Sequence, residues 1–250
     1  MKKIVFWDLD GTLIDTLDDL GAAVNHALAL RGLPQLGPED FRKMVGHGVR
    51  NLVAQAVEKA ASLAEVAPAA GAPEDVRADA YIDSALADFK EYYCANIDVF
   101  TRPYPGMPEL LSELSKAGVK MAVVSNKFQE GTERLVKEFF SDVDFVAILG
   151  NRPGWPLKPS PEIVEDVLQR IAGGGGEHIS RADAILVGDS PTDMRTAANG
   201  GIDAIAVTWG YSSQVELAEF LASDPAFAVP ASRPRFARSV EELRHLLSEG

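Results

Sequence analysis

The stretch Ile4-Val5-Phe6-Trp7-Asp8-Leu9-Asp10-Gly11-Thr12 opens on four apolar residues and closes on two carboxylates, a glycine and a hydroxyl. An unbroken apolar run of strand length, stopped by Asp and Gly, predicts a strand buried on both faces, as in a parallel sheet covered by helices. Four further runs have the same character: Lys120–Val124, Phe145–Leu149, Ala184–Val187 and Ala204–Val207. Helical spacing lies before, between and after them, in Leu110–Lys116, Glu130–Phe140, Pro161–Ile171, Thr192–Asn199 and Val215–Leu221. Such alternation predicts an α/β core with a doubly wound parallel sheet of Rossmann-like form. Ser239–Leu247 reads as a closing helix, with Ser239 as N-cap and Glu242 three residues on.

From Leu17 to Ile97 the alternation stops and no strand is expected. Leu17, Leu20, Ala23, Val24, Ala27 and Leu28 share one helical face, and Gly32 with Pro34 ends that helix. Phe41–Val45, Val49–Ala64 and Val76–Ile97 continue the helical reading, around a biased linker at Ala67–Pro73. The expected organisation is an α/β core over residues 1–16 and 99–250, with a helical insertion over 17–98. The chain returns near Thr101-Arg102-Pro103-Tyr104-Pro105-Gly106. Gly173–Gly176 reads as a flexible loop without chemistry of its own.

Ligands of open α/β sheets bind outside the carboxyl ends of the strands, so the residues just past each apolar run are the candidate site. The first run delivers Asp8 and Asp10, with Gly11 allowing a tight turn whose N–H groups can meet phosphate oxygens. The second runs into Ser125-Asn126, the third is followed by Lys158, and the fourth runs into Gly188-Asp189-Ser190-Pro191-Thr192-Asp193. Four carboxylates in one crevice repel: two unit charges ~4 Å apart cost about 4 kcal/mol at an effective dielectric near 20. A cation among them, or protons, must relieve this. An all-oxygen site beside a phosphate suits Mg²⁺.

Composition removes other classes. The 250 residues carry a formal charge of −13, which disfavours nucleic acid and anionic membrane but not a small phosphorylated metabolite that meets local positive charge. The single cysteine, Cys94, excludes a disulfide framework and a Cys-rich metal site, and reads as a buried or half-buried packing residue. No run approaches the ~20 apolar residues of a membrane span, and the apolar run in Met1–Asp8 is too short to be expected as a signal peptide. The expectation is a cytoplasmic protein, as a monomer or homodimer. His26, His178 and His245 read as surface or packing residues.

Together these motifs resemble the haloacid dehalogenase superfamily of aspartate-nucleophile phosphatases over nearly the whole chain. Asp8-Leu9-Asp10-Gly11-Thr12-Leu13 is similar to its first motif, Ser125-Asn126 to the second, Lys158 to the third and Gly188-Asp189 with Asp193 to the fourth. The insertion falls where that family carries a helical cap. Within the superfamily, Asp15-Thr16, Val45-Gly46-His47-Gly48-Val49-Arg50, Pro103–Gly106, Val123–Lys127 and Lys158–Pro161 most resemble the bacterial phosphoglycolate phosphatases.

The resemblance implies Asp8 as nucleophile and Asp10 as acid and base. It implies Mg²⁺ held by Asp8, the Asp10 carbonyl, Asp189 and, less directly, Asp193. Ser125, Asn126, Lys158 and Gly11 would hold the phosphoryl group, and Thr12 would orient the Asp8–Asp10 pair. The acid at position 10 disfavours the dehalogenase and phosphonate-cleaving branches, which lack it, and no Schiff-base pattern surrounds Lys43 or Lys59. The implied reaction is hydrolysis of a phosphomonoester, 2-phosphoglycolate or a similar small acid. His47, Gly48 and Arg50, at a helix start, are the candidates for the substrate carboxylate. A sugar-phosphate phosphatase, a phosphoglucomutase-type transferase and a non-catalytic phosphate-binding module are the competing readings.

Overall fold

The computed structural model describes residues 2–64, 77–173, 179–229 and 233–249. The linker at 67–73, the glycines at 174–176 and His178 lie outside them.

In chain order the elements are β1 (Ile4–Trp7), β2 (Ile14–Asp15), α1 (Leu17–Ala29), α2 (Pro38–Met44), α3 (Val49–Leu63), α4 (Asp79–Ala95), β3 (Arg102–Pro103) and α5 (Met107–Lys116). Then follow β4 (Lys120–Phe128), α6 (Gln129–Phe139), β5 (Ala147–Asn151), α7 (Glu162–Gly173), β6 (Ala184–Gly188), α8 (Pro191–Gly200), β7 (Asp203–Val207), α9 (Gln214–Ser223), β8 (Arg235–Ala237) and α10 (Val240–Glu249). They form two compact units, Met1–Asp15 with Arg102–Gly250, and Thr16–Thr101.

In the α/β unit, six strands lie in the order β5-β4-β1-β6-β7-β8, every neighbouring pair parallel. The order reverses at β1: the chain builds outward to β5, crosses back to β6 and continues to β8. Such a switch point opens a crevice at the strands' carboxyl ends, which here is the end of β1. Strand alternation sends Ile4, Phe6, Ala122, Val124, Ala184 and Leu186 to one face, against Val164 and Val167 of α7 and Ala197 of α8. Val5, Trp7, Met121, Val123, Ile185 and Val187 alternate to the other face and are buried as well. Burial on both faces is the physical reason these strands read as continuous apolar runs.

Four elements differ from expectation. β8 is three residues long and carries a surface arginine, so it has no run to detect. β2 and β3 pair antiparallel where the chain leaves and re-enters this unit, two residues a side. β4 runs on to Phe128, beyond its apolar stretch, and its register with β5 shifts between Val124 and Phe128. Irregularities of this kind re-aim side chains, and this one contains Ser125, Asn126 and Lys127.

In the helical unit, α1 buries the expected face of Leu17, Leu20, Ala23, Val24, Ala27 and Leu28. It also buries Asp19, whose carboxylate accepts from the N–H groups of Phe100 and Thr101 and from the Thr101 hydroxyl. Cys94 is exposed, contrary to expectation. The buried face of α4 is Ile82, Ala85, Phe89 and Tyr93, and the next residue turns about 100° away from it. His26 stacks on Tyr92 with ring centroids 4.4 Å apart, a packing role. Back in the α/β unit, Ser239 caps α10 by accepting from the Glu242 N–H, and the Glu242 carboxylate accepts from the Arg238 N–H. Among the described residues no helix is long and apolar enough to cross a membrane.

Candidate active site

The carboxyl ends of β1, β4 and β6, together with the loop that follows β5, bring the predicted core residues into one cluster. Asp8, Asp189 and Asp193 are all buried, and each offers an oxygen within 4.8 Å of the others. Lys158 places its ammonium between two of them, 2.8 Å from Asp8 Oδ1 and 2.7 Å from Asp193 Oδ1. The other oxygen of Asp193 accepts from the Ser190 N–H at 3.1 Å and hydroxyl at 2.6 Å, within the capping box that starts α8. The Asp193 carboxylate therefore both caps a helix and aims Lys158.

The turn after β1 is closed by Gly11, at φ 84°, where a side chain would be strained and would collide with the Asp189 carboxylate. The turn folds the Thr12 hydroxyl toward β6, and it donates to Asp189 Oδ1 at 3.1 Å. The Thr12 hydroxyl thus meets the acid of the neighbouring strand, where the sequence places it on the Asp8–Asp10 pair. Asp189 Oδ2 is held from the other side by the Tyr211 N–H, at 2.7 Å.

The Trp209-Gly210-Tyr211 segment after β7 carries no titratable acid or metal-ligand pattern, and sequence reasoning passed over it. A Cβ at Gly210 would strike the Gly11 carbonyl oxygen and Asp189, while the Trp209 indole donates to the Thr12 carbonyl at 3.2 Å. The segment thus braces the first motif against the fourth. Its only signal in the sequence is a glycine just past a strand end.

Asn126 and Lys158 are tied main chain to side chain. The Asn126 amide donates to the Lys158 carbonyl at 3.1 Å, and its oxygen accepts from the Lys158 N–H at 2.8 Å. Ser125 Oγ accepts from the Lys127 N–H at 3.2 Å. Asp10 stands apart from the three-acid cluster, because its carboxylate meets the Lys127 ammonium at 3.0 and 3.4 Å. Lys127 is a second buried cation, not assigned a role from the sequence.

The charges are under tension. Burial raises Asp8 well above the usual carboxylate range, and Asp193 and Asp189 push it further against the pull of Lys158. Burial and Asp193 raise Asp189 to about 7 against its two hydrogen bonds. Burial alone would depress the Lys158 ammonium, but Asp193 and Asp8 outweigh it and hold it above the ordinary lysine value. At 4.8 Å two ionised carboxylates repel by about 3.5 kcal/mol at an effective dielectric near 20. The donors are all carboxylate oxygens, and ionising all four aspartates against the two lysines would leave two negative charges. A hard divalent cation fits both the donor chemistry and the charge.

In the helical unit, Gly48 is the residue before α3, at φ 85°, and His47 is exposed. Arg50 is already engaged, its Nε 2.9 Å from Asp83 and a terminal nitrogen 2.6 Å from Asp79.

Known proteins resemble this chain over most of its length. The haloacid dehalogenase-like hydrolase family matches residues 5–207. A phosphoglycolate phosphatase of Mesorhizobium japonicum is 34% identical over 85% of this chain and 86% of its own length. One from Caulobacter vibrioides is 35% identical over 84% and 81%. Among solved structures, a protein from Lactobacillus delbrueckii subsp. bulgaricus, provisionally assigned as a phosphoglycolate phosphatase, superposes with a TM-score of 0.80 at 30% identity, covering 99% of both chains. With an aspartate pair at the switch point and relatives of this extent, the chain belongs to the haloacid dehalogenase-like hydrolase family.

Proposed function

We propose that the protein hydrolyses phosphomonoesters with Mg²⁺ through a phosphorylated Asp8, and that 2-phosphoglycolate or a similar small phosphorylated acid is its substrate. The observation that carries this reading is the Lys158 ammonium lodged between Asp8 and Asp193 at the end of the central strand. A nucleophilic carboxylate must be ionised in spite of its burial, and a fixed cation on one oxygen serves that need.

Asp8, Asp189 and the Asp10 main-chain carbonyl would hold the metal, with Asp193 acting through Lys158. When bound, Mg²⁺ neutralises charge on the phosphoryl oxygens and on the acids around them. Asp8 attacks phosphorus and the ester oxygen leaves, taking a proton from Asp10. Asp10 then accepts a proton from the water that attacks the aspartyl-phosphate, which frees Asp8 and releases phosphate. Ser125, the Asn126 main chain, the Gly11 turn and Lys158 hold the phosphoryl oxygens, because the Asn126 side chain is committed to the Lys158 loop. Thr12 and Tyr211 orient Asp189.

The choice of substrate rests on the relatives' names and on the glycine-flanked start of α3. The His47–Gly48 main chain is the better candidate for a substrate carboxylate, since the Arg50 charge is matched by Asp79 and Asp83. The test is phosphate release with Mg²⁺ from 2-phosphoglycolate, sugar phosphates, nucleotides and pyrophosphate. Highest kcat/KM on 2-phosphoglycolate, lost in Asp8→Asn, supports the reading. Activity that survives Asp8→Asn refutes the nucleophile, and preference for a sugar phosphate refutes the substrate.

A further inference from the structure

The Lys127 side chain is 3% exposed, and its ammonium reaches both oxygens of Asp10, at 3.0 and 3.4 Å. A lysine is rarely buried unless paired, because its charge must be stripped of water. Its main chain is anchored as well: the N–H donates to Ser125 Oγ, and the carbonyl shares the Thr132 hydroxyl, at 3.3 Å, with the Phe128 carbonyl at 3.1 Å. Gly150 packs so closely on that carbonyl that a Cβ there would collide with it. One residue is therefore fixed by its main chain to β5, α6 and the segment assigned to phosphate, and by its side chain to Asp10. A carboxylate on a short side chain still has two rotatable bonds, and one bound cation removes most of that freedom.

We infer that Lys127 is a positioning residue that aims the Asp10 carboxyl at the departing oxygen, coupling the site of phosphate binding to the site of proton transfer. This inference rests on the proposed acid role of Asp10. A general acid matters only when the leaving group needs a proton. It contributes about 10²–10⁴-fold for such groups, and misplacement by ~1 Å costs about 10²-fold. An alkoxide needs that proton, whereas nitrophenolate leaves without one.

The experiment compares kcat on 2-phosphoglycolate, or whichever alkyl phosphate is cleaved fastest, with kcat on p-nitrophenyl phosphate. It uses wild type, Lys127→Met, Lys127→Arg, Asp10→Asn and the Lys127→Met/Asp10→Asn double variant. Lys127→Met is expected to lose ~100-fold on the alkyl ester and only a few-fold on the aryl ester. Lys127→Arg should recover much of the alkyl activity, and the double variant should be no more selective than Asp10→Asn. Equal losses on both esters would overturn the inference, because Lys127 would then act on the shared phosphoryl group. A rise in KM at unchanged kcat, or no loss at all, would overturn it too. Asp10→Asn separates the two claims: if it shows no alkyl-selective loss, the acid role fails, whereas selectivity in Asp10→Asn but not in Lys127→Met defeats only the positioning role. Unfolding curves check the fold of each variant, and Lys127→Gln carries the comparison should Lys127→Met not fold.

Discussion

Asp189 is gripped by a hydroxyl from the first motif and an N–H from the β7 loop, yet burial still raises it to about 7. In the folded, metal-free protein this residue therefore keeps a proton that the unfolded chain releases near the ordinary carboxylate value of about 4. The contribution of Asp189 to stability is most favourable below that unfolded value and declines as pH rises toward about 7. Metal-free wild type should lose stability over this range relative to Asp189→Asn, and Mg²⁺ should remove the difference by taking the proton's place. Thermal unfolding with chelator and with Mg²⁺ measures it; a difference that does not change with pH contradicts it. The acids themselves were legible, because each ends an apolar run. Their partners were not: Lys127 is one lysine among many until the β4 irregularity turns it toward Asp10, and the Thr12 hydroxyl could have met either strand.

At the scale of elements, two braces matter. Between β7 and α9, the Trp209–Tyr211 segment presses Gly210 against the Gly11 carbonyl and Asp189. Gly210→Ala should cost about 1–3 kcal/mol, typical of an overpacked site, and should weaken Mg²⁺ binding in calorimetry. Unchanged affinity would remove the segment from the metal site. In the helical unit, Asp19 satisfies the Phe100 and Thr101 N–H groups and the Thr101 hydroxyl. Asp19→Ala strands the buried Thr101 donors and should destabilise that unit by about 1–3 kcal/mol, read as an earlier transition in urea. The long elements were legible because burial on both faces, or on one helical face, leaves a periodic record. β2, β3 and β8 left none, because two or three residues paired through main-chain bonds need no apolar pattern.

For the whole molecule, the parallel order β5-β4-β1-β6-β7-β8 gathers residues from positions 8 to 211 around one switch point. Binding of a cation there should stabilise the α/β unit by mass action, by about 2.7 kcal/mol at one hundred times Kd. At about 2–4 °C per kcal/mol, Mg²⁺ should raise its transition by ~5–10 °C. A shift of equal size in Asp189→Asn would place the binding elsewhere. The doubly wound core was legible from the alternation of runs and helical spacing. In the sequence the unit boundaries read as 16/17 and 98/99, whereas the structure has Asp15/Thr16 and Thr101/Arg102, since the β2–β3 pairing that closes the core is invisible in composition.

The most direct measurement is to trap the phosphorylated protein. Mg²⁺-loaded enzyme mixed with 2-phosphoglycolate, quenched in acid within one turnover and digested, should carry a phosphoryl group on the peptide containing Asp8. The label should be absent in Asp8→Asn. A phosphoryl group on another residue, or steady turnover with no phosphorylated peptide at any quench time, would contradict Asp8 as the nucleophile.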